Sequence, residues 1–452
     1  MRSIGVVVLL LVVGVVLAAG FARCEGTPPA VVVPTPVALG NTAKAVPVQL
    51  SDAGAGVRSL SAVLVHAGGE APLAAREFGG SLLPFVGDTA ETAQAELSID
   101  AKALGLAQGD AKLRITARDL AWRDFGRGNE AVVEVPVSVD FRPPSLSIAP
   151  GVVYARRAGS VAIAYEVSDD TERDGVEVGD GTFHPGMKPP GDDVPAGRRF
   201  VLFPLSQELE SDVKVRLVAI DHAGNRAERT PQIEIKGRVY PEEKIVLSKR
   251  FLEEKVPDLA GATGVAFDGD GVKTFQEINT RIRKENEAKI REVIAQTADE
   301  PLWDGAFEQM KDSQVMSSFA ERRSYFVEGE KVSESIHYGY DLASLAGAPI
   351  TAANRGKVIF ADELGIYGRC VILDHGLGLH SLYGHLSNID VAHGDLVEKG
   401  QVLGQSGQTG LAGGDHLHFA ILLRGVYVDP VEWWDAKWLR ERVMDRIAAA
   451  TP

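Results

Sequence analysis

Apolar and polar residues alternate in short runs along most of this chain, and a period of two leaves little but β-strand as the local structure. Over residues 37–139 such runs, 57–65 and 111–117 among them, are broken by Gly, Asp and Asn, residues that turn a chain cheaply. Short strands at this spacing predict an antiparallel sandwich. The chain has 452 residues, too many for one ordinary core, and about three domains is the natural division.

An internal repeat extends the pattern. Residues 111–119 read AKLRITARD and residues 213–221 read VKVRLVAID. Each copy alternates, ends in Ala-x-Asp, and is followed by Gly-Asn, at Gly128-Asn129 and at Gly224-Asn225, before a further strand. Two copies predict two tandem β-sandwich domains, 37–142 and 143–240, divided near Arg142-Pro143-Pro144. In pattern they are similar to immunoglobulin-like or cadherin-like modules, serving either as binding modules or as a passive stalk.

Two segments depart from the alternation. Residues 3–22 hold no charge, and 4–19 are almost wholly Val, Leu, Ile, Ala and Gly. About twenty apolar residues cross a bilayer core as a helix. With Arg2 on the cytoplasmic side, the rest of the chain is expected to be exported. The run 1–22 reads as a transmembrane anchor or, with Gly20 and Ala22 placed for cleavage before Arg23, as a removed signal peptide. Residues 23–36, rich in Pro, Thr and Val, read as a linker. Phe21, Ala22 and Arg23 do not make a lipobox around Cys24.

The second departure is 241–314, where Phe275, Ile278, Ile282, Ile290, Val293 and Ile294 follow helical spacing. Thr274 with Glu277 predicts a capping box at its start. This connecting segment is expected to pack through its apolar face, with a regulatory lid or a partner surface as the alternative. A net charge of -15 argues against nucleic acid as a partner, since phosphate binding needs basic surface. Two cysteines, Cys24 and Cys370, are too few for a cysteine metal site, and their positions make pairing an unnatural expectation.

Chemistry concentrates near the C-terminus. Seven of the ten histidines lie between His337 and His418. In His337-Tyr338-Gly339-Tyr340-Asp341, an extended strand would put His337 and Asp341 on one face, with empty space above Gly339 for an ion or a substrate backbone. An imidazole and a carboxylate aimed at one point suit Zn²⁺. In His416-Leu417-His418-Phe419 the two histidines share a face while Leu417 and Phe419 turn to the core. In Tyr383-Gly384-His385-Leu386, His385 has a side-chain pKa range suited to proton transfer. Cys370 reads as a buried apolar side chain, His375 as a turn or supporting residue, and His66, His184, His222, His380 and His393 as surface residues. Trp433 and Trp434 read as core or as platforms for sugar rings.

HYGYD (337–341), LYGHLS (382–387), GDLVEKGQVLGQSGQTG (394–410) and HLHF (416–419) occur in this order. Together, over about 315–440, they resemble the lysostaphin-type, or LytM-like, zinc metallopeptidases that cut peptide cross-links in bacterial cell walls. The resemblance implies a glycine-punctuated antiparallel β-domain with Zn²⁺ as cofactor. His337, Asp341 and His418 fall on the family's zinc ligands, and His385 and His416 on its two other catalytic histidines. His385 is then the expected general base and His416 the donor to the oxyanion, although the two roles could be exchanged. Tyr340, Ala320 and Gly414-Asp415 depart from the usual residues at their positions, leaving the metal and catalytic residues intact.

The fold expected is therefore mainly β and multidomain: an N-terminal transmembrane helix, two β-sandwich domains, a helical connecting segment, a C-terminal LytM-like metallopeptidase domain and a short tail, 441–452. The partners implied are the peptide of peptidoglycan, the membrane through the N-terminal helix, and proteins of cell division or wall synthesis. The location implied is the inner membrane with periplasmic domains, or the periplasm after cleavage. A catalytically silent regulator of other wall hydrolases, and an adhesin acting through its sandwich modules, are the competing functions.

Overall fold

The computed structural model describes residues 14, 23–81, 89–179, 181–210 and 212–448. The apolar run 4–19, read above as an anchor or signal peptide, lies outside the described residues except Gly14. Among the described residues no helix is long and apolar enough to cross a membrane. The chain forms two compact units: Met1–Ser145 with Asp170–Arg173 and Ala219–Ala227, and Leu146–Asp169 with Asp174–Val218 and Glu228–Pro452.

In the first unit, a five-stranded sheet runs Val37–Leu39, Glu130–Val139, Gly109–Asp119, Val57–His66, Gly69–Glu77, and a three-stranded sheet runs Ala30–Val32, Lys44–Ser51, Thr92–Ile99. The alternation in the sequence becomes alternation in burial: every second residue of Thr92–Ile99 is buried. Val48, Leu64, Ile99, Leu113 and Ile115 are among the residues filling its core. Ala30–Val32, inside the segment read as linker, pairs antiparallel with Lys44–Ser51. Pairing is antiparallel except between Val37–Leu39 and Glu130–Val139.

The repeated Ala-x-Asp and Gly-Asn motifs have a common physical basis. Asp119 accepts from Asn129 N (2.7 Å) and Asn129 Nδ2 (2.8 Å). Asp221 accepts from Asn225 N and Asn225 Nδ2, both at 2.9 Å. In each copy a buried carboxylate clips the turn that follows it, with the intervening glycine in the left-handed region.

In the second unit, Arg198–Pro204, Ser160–Val167 and Leu146–Ile148 form one sheet, and Val153–Arg156 pairs parallel with Ile233–Lys236. The helical segment comprises Phe251–Lys255 running into Val256–Thr263, then Gly271–Glu277, a π turn at Ile278–Ile282, and Arg283–Val293. Its start differs from the expected capping box. Asp270 is the cap, accepting from Lys273 N at 2.9 Å, and Thr274 is buried within the helix. Phe275, Ile278, Ile282 and Ile290 are buried, as their spacing predicts.

An eight-stranded sheet dominates the C-terminal region, in the order Gln314–Ser317, Tyr340–Ala343, Leu417–Leu423, Leu379–Leu386, Arg369–Gly376, Gly356–Glu363, Leu396–Val397, with Val426–Val428 beside Leu417–Leu423. All eight residues of Leu379–Leu386 are buried. The strand is covered on both faces, so its polar residues must find partners inside the protein. A smaller sheet, Glu242–Val246, Glu321–Val327, Glu330–His337, borders the site.

Glu432 is a costly feature of this unit. It is buried, accepts from Ser160 N at 2.8 Å, and sits beside Trp433, whose Nε1 donates to Ser160 Oγ at 3.1 Å. Burial pushes its carboxyl up to about 8, against the Ser160 hydrogen bond and the charges of Arg156 and Arg238. Between its unfolded pKa and about 8 the folded state holds a proton that the unfolded chain has lost, so stability falls as pH rises through this window. Glu432→Gln is expected to leave the melting midpoint nearly unchanged at pH 4. At pH 8.5 it should stabilise by roughly a few kcal/mol, because every pH unit crossed inside that window removes about 1.4 kcal/mol from the protein with glutamate. Thermal melts of both proteins at the two pH values measure this, and an equal effect at each would refute it.

Candidate metal centre

His337 ends the strand Glu330–His337, and Asp341 is the second residue of Tyr340–Ala343, which belongs to a different sheet. The single strand expected to carry both is thus two strands joined by a bend at Tyr338 and Gly339. The side chains still converge, with His337 Nε2 2.9 Å from Asp341 Oδ1. His418 is the direct cross-strand partner of Asp341. Its Nδ1 stands 3.0 Å from Asp341 Oδ1 and 3.0 Å from His337 Nε2.

Gly339 serves this geometry in an unexpected way. A Cβ there would lie 2.6 Å from His418 Cε1 and 2.6 Å from the Phe419 carbonyl oxygen. The space above the glycine belongs to the His418 ring, not to an ion or a substrate.

The positions of the protons test whether the three residues fit a cation. The Ser318 carbonyl, 3.1 Å from His337 Nδ1, can only accept, so a neutral ring at His337 would carry its proton there and present a bare Nε2 to a cation. No proton then lies between His337 Nε2 and Asp341 Oδ1, whichever nitrogen of His418 is protonated. Two lone pairs 2.9 Å apart repel unless a positive charge lies between them. Three such atoms with edges of 2.9–3.0 Å come close to the edges of about 3.3 Å that tetrahedral ligands around zinc require. His418 Nε2, on the ring's other side, is buried with no partner among the described residues, so Nδ1 is the engaged end. All three residues are buried, and their donor atoms could hold a metal ion.

The surrounding charges favour the ionised carboxylate. Burial alone would raise Asp341, but the histidines around it, His337 first and then His416 and His418, hold it well below the usual carboxylate range. Arg323 donates from Nη2 to the free oxygen, Asp341 Oδ2, at 2.9 Å, and from Nε to Glu321 at 2.9 Å. Arg323 belongs to no motif of the sequence. Its signal lay in the register: Glu321 pairs with His337, and Arg323, two residues on, shares that face.

The two remaining histidines flank the triad in different states. The His385 ring lies 4.8 Å from that of His416 and 5.8 Å from that of His418. Its Nδ1–H donates to the Thr409 carbonyl at 2.8 Å, which leaves Nε2 as a lone pair. Burial first, then the charges of His416 and His418, keep it well below its ordinary pKa and so neutral. His385 also has φ of 65°, a strained conformation for a residue other than glycine. His416 donates from Nδ1 to the Gly414 carbonyl at 2.9 Å, and its Nε2 stands 3.5 Å from Asp341 Oδ1. Burial lowers its pKa, but the hydrogen bond and charge of Asp341 outweigh that, and the net shift is upward.

All five residues line one cavity of about 310 Å³, whose other wall includes Leu247, Phe251, Phe275 and Arg283 from the upstream strand and helical segment. Several neighbouring residues have structural roles. Tyr383 is buried, and its hydroxyl accepts from Ala353 N at 2.8 Å and from Ser381, a structural role. Trp433 is wholly buried and cannot stack on a sugar. His380 and His184, expected at the surface, are buried, whereas Cys370 is buried as expected and His375 is a buried supporting residue. His375 bridges the Arg355 carbonyl (2.7 Å) and Ser381 Oγ (2.7 Å).

Residues 335–430 match peptidase family M23. The C-terminal part of the chain therefore carries a LytM-like domain of that family, in a chain that is mainly β and multidomain. The chain is 35% identical over 119 residues to the peptidoglycan DD-endopeptidase ShyB of Vibrio cholerae, covering 26% of this chain and 27% of that protein. It is 38% identical over 96 residues to the DD-carboxypeptidase/endopeptidase Mpg of Neisseria meningitidis, covering 21% of this chain and 22% of that protein. The matched stretch thus spans about a quarter of the length of these curated relatives. A solved structure of a putative peptidase M23 from Pseudomonas aeruginosa aligns over 62% of this chain and 95% of its own, at 20% identity and a TM-score of 0.39.

Proposed function

With residues 335–430 taken as a peptidase family M23 domain, we propose that this chain is a zinc-dependent endopeptidase that hydrolyses the peptide cross-links of bacterial peptidoglycan. One observation supports the reading: His337 Nε2, Asp341 Oδ1 and His418 Nδ1 meet within 3.0 Å of one another in a buried site, and two further imidazoles stand beside them. His337 Nε2, Asp341 Oδ1 and His418 Nδ1 would hold the zinc. When bound there with an open fourth position, zinc lowers the pKa of water towards 7 and polarises the scissile carbonyl.

The protein's own groups supply the rest. His385, neutral with a bare Nε2, accepts the proton of the attacking water and passes it to the leaving nitrogen as the carbon–nitrogen bond breaks. His416, when protonated, would donate from Nε2 to the carbonyl oxygen as negative charge builds there. Arg323 and the Ser318 carbonyl fix Asp341 and His337 in orientation, a supporting layer that tunes metal affinity. Export through the N-terminal apolar run would place the site in the periplasm, where its substrate lies. The membrane and proteins of wall synthesis or division are the partners that this location would bring.

Purified full-length chain loaded with zinc is expected to release soluble peptide fragments from isolated cell walls, identifiable by mass spectrometry. A chelator should abolish release and added zinc restore it. Zinc-loaded protein that binds the ion stoichiometrically yet releases nothing would refute the catalytic reading and favour a silent regulator.

A further inference from the structure

Arg283 faces the same cavity as the five site residues, and it is held there by a buried asparagine that also ties the helical segment to the strand Glu330–His337. Asn279, in the π turn Ile278–Ile282, is buried. Its side-chain nitrogen donates to Ser333 Oγ at 2.7 Å and to the Glu334 carbonyl at 3.1 Å, which fixes the amide and aims Oδ1. That oxygen accepts from Nε and Nη2 of Arg283, at 3.2 and 2.8 Å. A guanidinium has five N–H groups in a rigid fork, so one anchored through two of its nitrogens presents the remainder in a set direction. π turns inside helices occur often at functional sites.

The charge of Arg283 is not cancelled locally. Among the described residues its hydrogen-bond partner is Asn279 and it forms no ion pair. Glu287, one helical turn on, is engaged by the Tyr367 hydroxyl at 2.6 Å. The other cation of the cavity, Arg323, is paired with Glu321 and Asp341. A preoriented, unpaired guanidinium in a partly enclosed groove is suited to bidentate binding of a carboxylate.

We infer that Arg283 binds a free carboxylate of the substrate. The cross-link cut here then carries a free α-carboxylate inside the same cavity, as one made through the α-amino group of a D-amino acid does, with D-Ala-D-Ala as its smallest mimic, and is not a run of glycines. The inference rests on the peptidase reading above and names the substrate class for the same site. Arg283 acts as a specificity residue, with Asn279 positioning it.

The test uses an N-acylated peptide ending in D-Ala-D-Ala and the same peptide as its C-terminal amide. Titration calorimetry on the metal-free full chain measures binding independently of turnover. The wild type is expected to bind the carboxylate form about 10- to 100-fold more tightly than the amide, the range of a charge-assisted hydrogen bond. Arg283→Gln should bring that ratio to about one, and Arg283→Lys should recover part of it. Arg283 is half-exposed and lies outside the core, and a melting profile like the wild type's checks that the variants are folded. A wild type with no preference, or a folded Arg283→Gln with the wild-type ratio, overturns the inference. Hydrolysis of the two peptides by zinc-loaded protein is scored separately. Failure to cut either peptide or cell walls sinks the peptidase reading, while the binding ratio still judges Arg283.

Discussion

His418→Ala is expected to lower hydrolysis of cell-wall peptide by at least about a thousand-fold, equivalent to roughly 4 kcal/mol of transition-state stabilisation. The reason is geometric. His418 Nδ1 supplies two of the three edges of the triad, at 3.0 Å each. Without it, a cation would meet only one imidazole and one carboxylate, and the charge that favours attack would be poorly held. Metal analysis separates this cause from general damage: the variant should bind substoichiometric zinc while its far-ultraviolet circular dichroism stays that of the wild type. A variant that keeps both its zinc and its turnover would end the assignment of His418 as a ligand.

Gly339→Ala should have the next largest effect, although it touches no group that reacts. The added methyl would meet the His418 ring and the Phe419 carbonyl at 2.6 Å, closer than real Cβ contacts allow. The carbonyl belongs to a buried central strand and resists displacement. The His418 ring is therefore the part that moves, and it moves away from Asp341 and His337. Zinc affinity is expected to fall about 10- to 100-fold, the scale seen when the surroundings of a metal ligand are disturbed. Turnover at limiting zinc should fall with it and recover in part at high zinc, a rescue that His418→Ala should not show. Competition with a chromophoric chelator measures the affinity. An unchanged value would show that the strand yields instead.

The site residues were legible in the sequence because their spacing is local. HLHF places His416 and His418 two apart, and HYGYD places His337 and Asp341 four apart. Their rationale was less legible. His337 and Asp341 come together across a bend between two sheets, not along one strand, and the glycine between them makes room for a histidine about eighty residues away. The helical segment shows the same division. Its buried Phe275, Ile278, Ile282 and Ile290 followed from periodicity, whereas its cap did not. Asp270 competed with Thr274 for the same role, and the residues that follow Asp270 are already helical. His380 looked like a surface residue because histidine usually is one, and only its position in a strand covered on both faces buries it. Arg323, Asn279 and Arg283 could not have been assigned from the sequence, since each acts through a partner or a cavity wall brought near by the fold.

Leu247, Phe251, Phe275 and Arg283 wall the reactive cavity from outside the span 335–430. On the proposed reading, bond-breaking and substrate choice would therefore be written in separate stretches of the polypeptide. Exchange of the earlier stretch would then redirect the enzyme to a new peptide, provided that Ser318 and Arg323, which brace His337 and Asp341, are left in place.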